Sequence, residues 1–201
     1  MSARRRRYLT DLRGGLVLAF GDLTVLSILA FAAVVLAFGG ALEEFWPVFG
    51  AKVGLARPMI ALFVGGQNAI EAAVSLVAHR LAGLPKWTFY ALLVGGGLML
   101  AVASGLFTPA AMLLLGLYSG VMKLVSVVFE GRLQHAIPSE RRATIGSVKS
   151  FLAQLCITGF YLSFGPLAQA TSYRIAFLAC GGAGIATGLA YLAWPRRVGA
   201  P

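Results

Sequence analysis

The chain has 201 residues, of which 59% are apolar and only 12% charged, and its mean hydropathy is +0.83. A soluble domain lies nearer half apolar and a quarter charged, so this composition sets aside a soluble enzyme or a nucleic-acid-binding module. The net charge of +10 must then be explained by how the chain sits in a membrane.

Residues Ala3 to Gly21 form a basic lead-in. Leu9, Leu12, Leu16 and Ala19 recur at helical spacing, which suits the inner membrane surface. Asp22 is a fair N-cap for the first span. Apolar blocks then predict six transmembrane helices near 24–48, 58–78, 87–107, 109–129, 143–165 and 174–194. Each is long enough for roughly 30 Å of hydrocarbon and none alternates with period two, which excludes barrel strands. The organisation is a lead-in over 1–22, a six-helix membrane domain over 23–195 and a tail over 196–201. Spans three and four are joined through Thr108 alone, as a tight outer hairpin. Cys156 and Cys180 fall inside spans and read as small buried apolar residues, so no disulfide, metal or cofactor is expected.

Basic residues fall in alternate gaps. Arg4–Arg7, Arg13, Arg80, Lys86, Arg132, Arg141, Arg142, Arg196 and Arg197 share one side, against Lys52, Arg57 and Arg174 on the other. The positive-inside rule makes the first side cytoplasmic and puts both termini there. Trp46, Trp87 and Trp194 end spans, as an aromatic belt does.

Polar residues are unevenly shared. Span two carries Gln67, Glu71, Ser75 and His79, with Asn68 beside them. Span four carries Gly116, Ser119, Lys123, Ser126 and Glu130, and span five carries Ser147, Ser150, Gln154, Thr158 and Tyr161. Steps of three and four put each set on one helix face, and in hydrocarbon such a face looks at protein or water. Spans two, four and five are therefore expected to line an interior, and the bland spans three and six to face lipid. A bland third helix in each triplet suggests a three-plus-three repeat. Glu71, Lys123 and Lys149 fall at similar depth in the cytoplasmic half. A lone charge there costs at least ~2.5–3.5 kcal/mol, so Glu71 is expected to face Lys123, with Lys149 near them or reaching for the inner surface. The pair serves either ion coupling and substrate binding or as a strut between two helices. Arg80, Glu130, Arg132, Arg141 and Arg142 form an inner charge cluster, readable as a cytoplasmic gate or as topology-fixing charge. Glu43 and Glu44, before Trp46-Pro47, read as a solvated outer helix end or a vestibule. Gly95-Gly96-Gly97, Gly116 with Gly120, and Gly184 with Gly188 read as close packing.

Residues 78–86, Ala-His-Arg-Leu-Ala-Gly-Leu-Pro-Lys, resemble a degenerate form of the Asp-Arg-x-Gly-Arg-Lys loop of the major facilitator superfamily, with His79 in place of the aspartate. Residues 131–150, with Ile137-Pro138 and Arg141-Arg142-Ala143-Thr144, resemble the loop from helix ten to helix eleven of its drug-efflux-like members. Glu43-Glu44-Phe45-Trp46-Pro47 is similar to the outer end of their helix seven, and Tyr173-Arg174-x-Ala176-Phe177 to the start of their helix twelve. The resemblance covers nearly the whole chain, as a C-terminal six-helix half of such a bundle. It implies a secondary transporter of a bacterial cytoplasmic membrane, moving a small molecule by alternating access on an ion gradient. It also implies a partner, either an N-terminal half or a second copy. Two other functions stay open: a truncated or regulatory membrane subunit without transport of its own, and an intramembrane serine enzyme built on Tyr118-Ser119-Gly120. The enzyme lacks a base, because His79 and His135 lie at the inner surface.

Overall fold

The computed structural model describes residues 21, 23–137, 139 and 142–193. The lead-in with Asp22, Pro138, Arg141, Trp194 and the tail lie outside the described residues. Those described are organised as helices: α1 (Leu23–Leu36), a π-helical turn (Ala37–Ala41), α2 (Trp46–Lys52), α3 (Arg57–Leu81), α4 (Lys86–Leu106), α5 (Ala111–Ala136), α6 (Arg142–Ala170) and α7 (Tyr173–Ala193). Helices α3 to α7 are each long and apolar enough to cross a membrane, and the bent run from Leu29 through Lys52 makes a sixth crossing if taken as one span. At 1.5 Å per residue, the 21 residues of α4 or α7 reach about 31 Å, one hydrocarbon thickness.

The expected continuous first span is broken. The consecutive Gly39 and Gly40 lie in the π turn, residues 44–45 turn, and α2 restarts at Trp46-Pro47 with an axis bent by 41°. The break has local causes. Gly-Gly has little helix propensity, and Pro47 donates no N–H, so it is tolerated in a first turn but not within a continuing helix. A β-carbon on Gly39 would also sit 3.3 Å from Met122 Cβ, so close approach to α5 favours glycine there. Two other spans outrun expectation. Helix α5 continues to Ala136, and α6 runs through Pro166 to Ala170. An interior proline is tolerated in a membrane helix where its neighbours satisfy the freed carbonyl.

The bland helices α4 and α7 pack closely on each other, with 39% and 28% of their apolar windows buried and the rest facing outward. A β-carbon on Gly97 would lie 2.7 Å from the Ile185 nitrogen, one on Gly181 2.8 Å from the Ala101 nitrogen, and one on Gly188 2.6 Å from Val94 Cγ2. Lacking polar residues, these helices associate through small ones, which bring backbones together where no hydrophobic drive exists. Helix α5 is central, with 56% of its apolar window buried, against 17% for α6 and 6% for α3. Gly116 and Gly120 let α5 approach Phe63 and Ile70 of α3.

Two aromatic clusters fill the core. Phe45, Trp46, Phe49, Phe107, Phe160, Phe164 and Phe177 pack at one level, and Phe31, Phe89, Tyr90, Phe129 and Tyr191 at another. Along α5, Lys123 falls between Tyr118, which stands edge-on to Trp46, and Phe129 of the second cluster.

Candidate functional site: a charged cluster at the broken span

Glu71 and Lys123 meet. Lys123 Nζ lies 3.5 Å from Glu71 Oε2, the pairing that depth and cost predicted. Gln67 Nε2, one turn earlier on α3, donates to Glu71 Oε1 at 3.1 Å, and the Ser75 hydroxyl donates to the Glu71 carbonyl at 2.8 Å. Spacing of four residues on one helix sets both contacts. Gln67 is buried and Glu71 nearly so, while Lys123 keeps 40% of its side chain exposed. The depth differs from the sequence estimate. Glu71 is fourteen residues into α3 and Lys123 twelve into α5, about 21 and 18 Å from the ends where those helices start. Because α5 runs on to Ala136, Lys123 sits at its midpoint and not in the inner half.

The break in the first span delivers a third charge to this place. Glu43 is half-buried beside this pair, near enough to Glu71, Ser119 and Lys123 for them to act electrostatically on its carboxyl. Trp46 Nε1 donates to Ser119 Oγ at 3.2 Å, and Trp46 and Ser119 are both fully buried. Glu44, the next residue, is exposed and lies near enough to Tyr161 of α6 to act on its hydroxyl electrostatically. Neighbours on a helical backbone point about 100° apart, so one break serves two helices. The aromatic-belt reading of Trp46 is corrected here, because its ring is fully buried in the core. Glu44 stays exposed, as a solvated helix end would, and Glu43 is half-buried. The belt reading assumed a straight span, and the Gly39-Gly40 pair and Pro47 were the signals of the break.

Lys149 does not join this cluster. It binds Glu130, which also accepts from Gln134 Nε2 at 3.0 Å, and so ties α6 to the C-terminal part of α5. Arg132 does not pair with Glu130 either. Its Nη2 donates to the carbonyls of Ala82, at 3.0 Å, and of Leu84, in the turn between α3 and α4. The guanidinium lies 4.8 Å from the ring centre of Phe89 and 5.4 Å from that of Phe129. Arg142 Nε reaches the Ile137 carbonyl at 3.4 Å, and Arg80 is exposed. Among the described residues, the charges at this end thus form separate ties, Lys149 to Glu130 and Arg132 to the turn between α3 and α4. At the opposite end, Arg174 donates to the Gly105 carbonyl and Lys52 lies 5.3 Å from the Tyr173 ring centre.

The remaining candidates split by exposure. Ser126 is half-buried, whereas Asn68, Ser150 and Gln154 are exposed on the chain's own surface. Among the described residues, none covers these faces of α3 and α6, as expected of a half whose cavity face awaits a partner. Cys156 is likewise exposed and not buried. Cys180 is partly buried and lines an apolar groove with Phe160, Phe164 and Leu167. Among the described residues no group of histidines, cysteines and carboxylates could hold a metal.

The fold and the site together define an α-helical membrane protein with a charged cluster inside its spans. Comparisons with protein-family models, curated proteins and solved structures found no match that would narrow this class to a family.

Proposed function

We propose that this chain is one half of a secondary transporter, with the major facilitator bundle as its pattern, and that it moves a small molecule by alternating access. The observation that carries this is the Glu43–Glu71–Lys123 cluster at mid-membrane depth, placed where α3 and α5 meet the broken first span. A membrane protein holding three charges at that depth for fastening alone meets a desolvation cost that apolar packing avoids. Ion and substrate sites of secondary transporters occupy this depth, at discontinuous helices and between repeats.

The packing supports the repeat. Helix α5 packs alongside α3, and α1 with its π turn alongside α6. These are the two contacts that exchange when the first three spans are superposed on the last three. The pair α4 and α7 maps onto itself. Support for a second half comes from α3 and α6, whose polar residues Asn68, Ser150 and Gln154 lie open in the hydrocarbon zone. Exposed polar side chains in lipid are costly, so this face belongs against protein or a water-filled cavity. The covering half is an N-terminal six-helix unit or a second copy. Both termini of the described bundle then face the cytoplasm, as the basic residues demand.

Expressed with its covering half, the protein should change the cellular accumulation of at least one compound in a panel of amines, lipophilic cations and small organic acids. Glu71→Gln should abolish that change at unaltered membrane abundance. An assembled wild-type pair that alters no compound in the panel sinks the transport reading.

A further inference from the structure

The apolar groove beside Cys180 has a volume of about 400 Å³ and lies between α1, α6 and α7. Val34 closes it on α1, Phe160, Phe164 and Leu167 on α6, and Ala179 and Ala183 on α7, where small side chains leave room. The Ser163 hydroxyl is turned to the Gly159 and Phe160 carbonyls of its own helix, so a polar ligand finds little here. Among the described residues, none that lines the groove comes from α3 or α5, which carry the Glu71–Lys123 pair. A basic cup of about 280 Å³ adjoins it, for Leu167 lines the groove and the next residue, Ala168, lines the cup. Lys52 ends α2 above the cup, and Ser172, Tyr173 and Arg174 make the turn into α7. Lys52 Nζ lies 5.3 Å from the Tyr173 ring centre, and Arg174 donates to the Gly105 carbonyl. These contacts hold both cations at the cup. Among the described residues neither has a carboxylate partner, and an ammonium and a guanidinium each carry several N–H donors, so both keep donors for an anion.

The two spaces line up along an antiparallel helix pair. From Ala168 back to Cys156 is twelve residues of α6, and from Tyr173 on to Ala183 is ten of α7, which is about 18 and 15 Å of trough. Half of a hydrocarbon core of roughly 30 Å is one leaflet, so the trough is as deep as a single layer of lipid. An apolar trough of that depth with cations at its membrane end matches a lipid with a negative head. We propose that the groove and the cup together bind one anionic phospholipid, with an acyl chain along α6 and α7 and its phosphate between Lys52 and Arg174. The trough accepts the tail of any lipid, and the two cations select the head. The site lies at the end of α6 opposite Arg142. Because Val34 and Lys52 belong to the broken first span, the bound lipid joins that span to the α6–α7 pair. The site does not depend on the transport reading.

The experiment is native mass spectrometry of the full chain in detergent, with phosphatidylglycerol and phosphatidylcholine of the same acyl chains added at equal concentration. The first lipid retained should be phosphatidylglycerol over phosphatidylcholine by about twentyfold, and Lys52→Gln should cut that preference about fivefold, the effect of one basic residue beside an anionic head. Lys52→Gln with Arg174→Gln should abolish it, and Arg80→Gln, exposed at the other end of the bundle, should leave it intact. Ala183→Phe fills the trough from an exposed position, so it should lower retention of both lipids severalfold and keep the preference between them. Equal retention of the two lipids by the wild type overturns the site, and that measurement needs no variant. A preference that survives loss of both cations overturns it too, as does one that Arg80→Gln lowers as much as Lys52→Gln does. Glycerol phosphate is the head without tails. If it displaces phosphatidylglycerol at equal concentration, the ligand is a free phosphate and the lipid site is overturned. None of these outcomes touches the accumulation assay, and a failed accumulation assay leaves the lipid preference free to appear.

Discussion

Among the described residues, Lys123 is the cation that pairs with Glu71, with Glu43 nearby, which makes its removal the most informative single change at the cluster. Lys123→Met should destabilise the bundle by about 1–2 kcal/mol. Breaking a fully buried pair costs more, but a 40% exposed lysine side chain is partly solvated. Adding Glu71→Gln to Lys123→Met should return part of that loss, because the remaining carboxyl then has no paired negative charge to repel. Reversible unfolding in mixed detergent checks both, and equal stability of the single and double variants refutes the pairing. Trp46→Phe keeps the packing against Tyr118 and Phe177 but loses the bond to Ser119, and should cost about 1 kcal/mol in the same assay. Arg132 was legible in the sequence as an inner charge, but its partners were not, because they are backbone carbonyls fifty and forty-eight residues away. Arg132→Lys keeps the charge and loses the two-carbonyl fork and the flat stacking on Phe89 and Phe129. It should therefore speed proteolysis of the turn at residues 82–85 severalfold over wild type, and unchanged cleavage would show that the fork does not hold the turn.

At the scale of elements, hydrophobic block length located the starts of five of six spans within two residues, since bilayer thickness is a constraint the sequence must meet everywhere. Their ends were less legible. Helix α5 outran its apolar block because Glu130, Gln134 and Arg132 continue it with polar groups that find partners at that end of the bundle. The broken first span was missed for the opposite reason. Its residues are apolar on both sides of Gly39-Gly40, and hydropathy does not register a bend. The α4 and α7 contact was missed because absence of polarity was read as contact with lipid, when in a membrane helices also meet through glycine. Gly97→Val or Gly188→Val should each cost upwards of about 1–3 kcal/mol, because the added atoms meet backbone within 2.7 to 3.0 Å. Gly182→Ala, with nothing within 4 Å of its new carbon, is the matched control and should leave stability unchanged. Thermal melts in detergent decide this, and equal loss at all three positions would mean that the spacing of glycines is irrelevant.

For the whole molecule, the uncovered faces of α3 and α6 set the question of assembly. Cys156 stands exposed on α6 and gives a native handle. In membranes, a short bismaleimide should join two copies of the chain through Cys156 if a second copy covers this face, and Cys156→Ser should abolish the product. If an N-terminal half covers it, co-expression of that half should suppress the product. A Cys156 that stays freely labelled by a membrane-permeant maleimide, with or without another half, would show that nothing docks there. The membrane class and the Glu71–Lys123 pairing were both readable from the chain, since charge in hydrocarbon leaves few choices. The second carboxylate was not, because it depends on where a break turns the backbone.

The contact between α4 and α7 has a mechanical consequence. Side chains that interdigitate can yield by changing rotamer, but Gly97 against Ile185 and Gly181 against Ala101 set main chain on main chain, where there is no torsion to give. A push at one end of this pair arrives undiminished at the other, as along a keel. If the bundle rocks, these two helices stay fixed to each other, and the bending is left to the first span, whose paired glycines form the natural pivot.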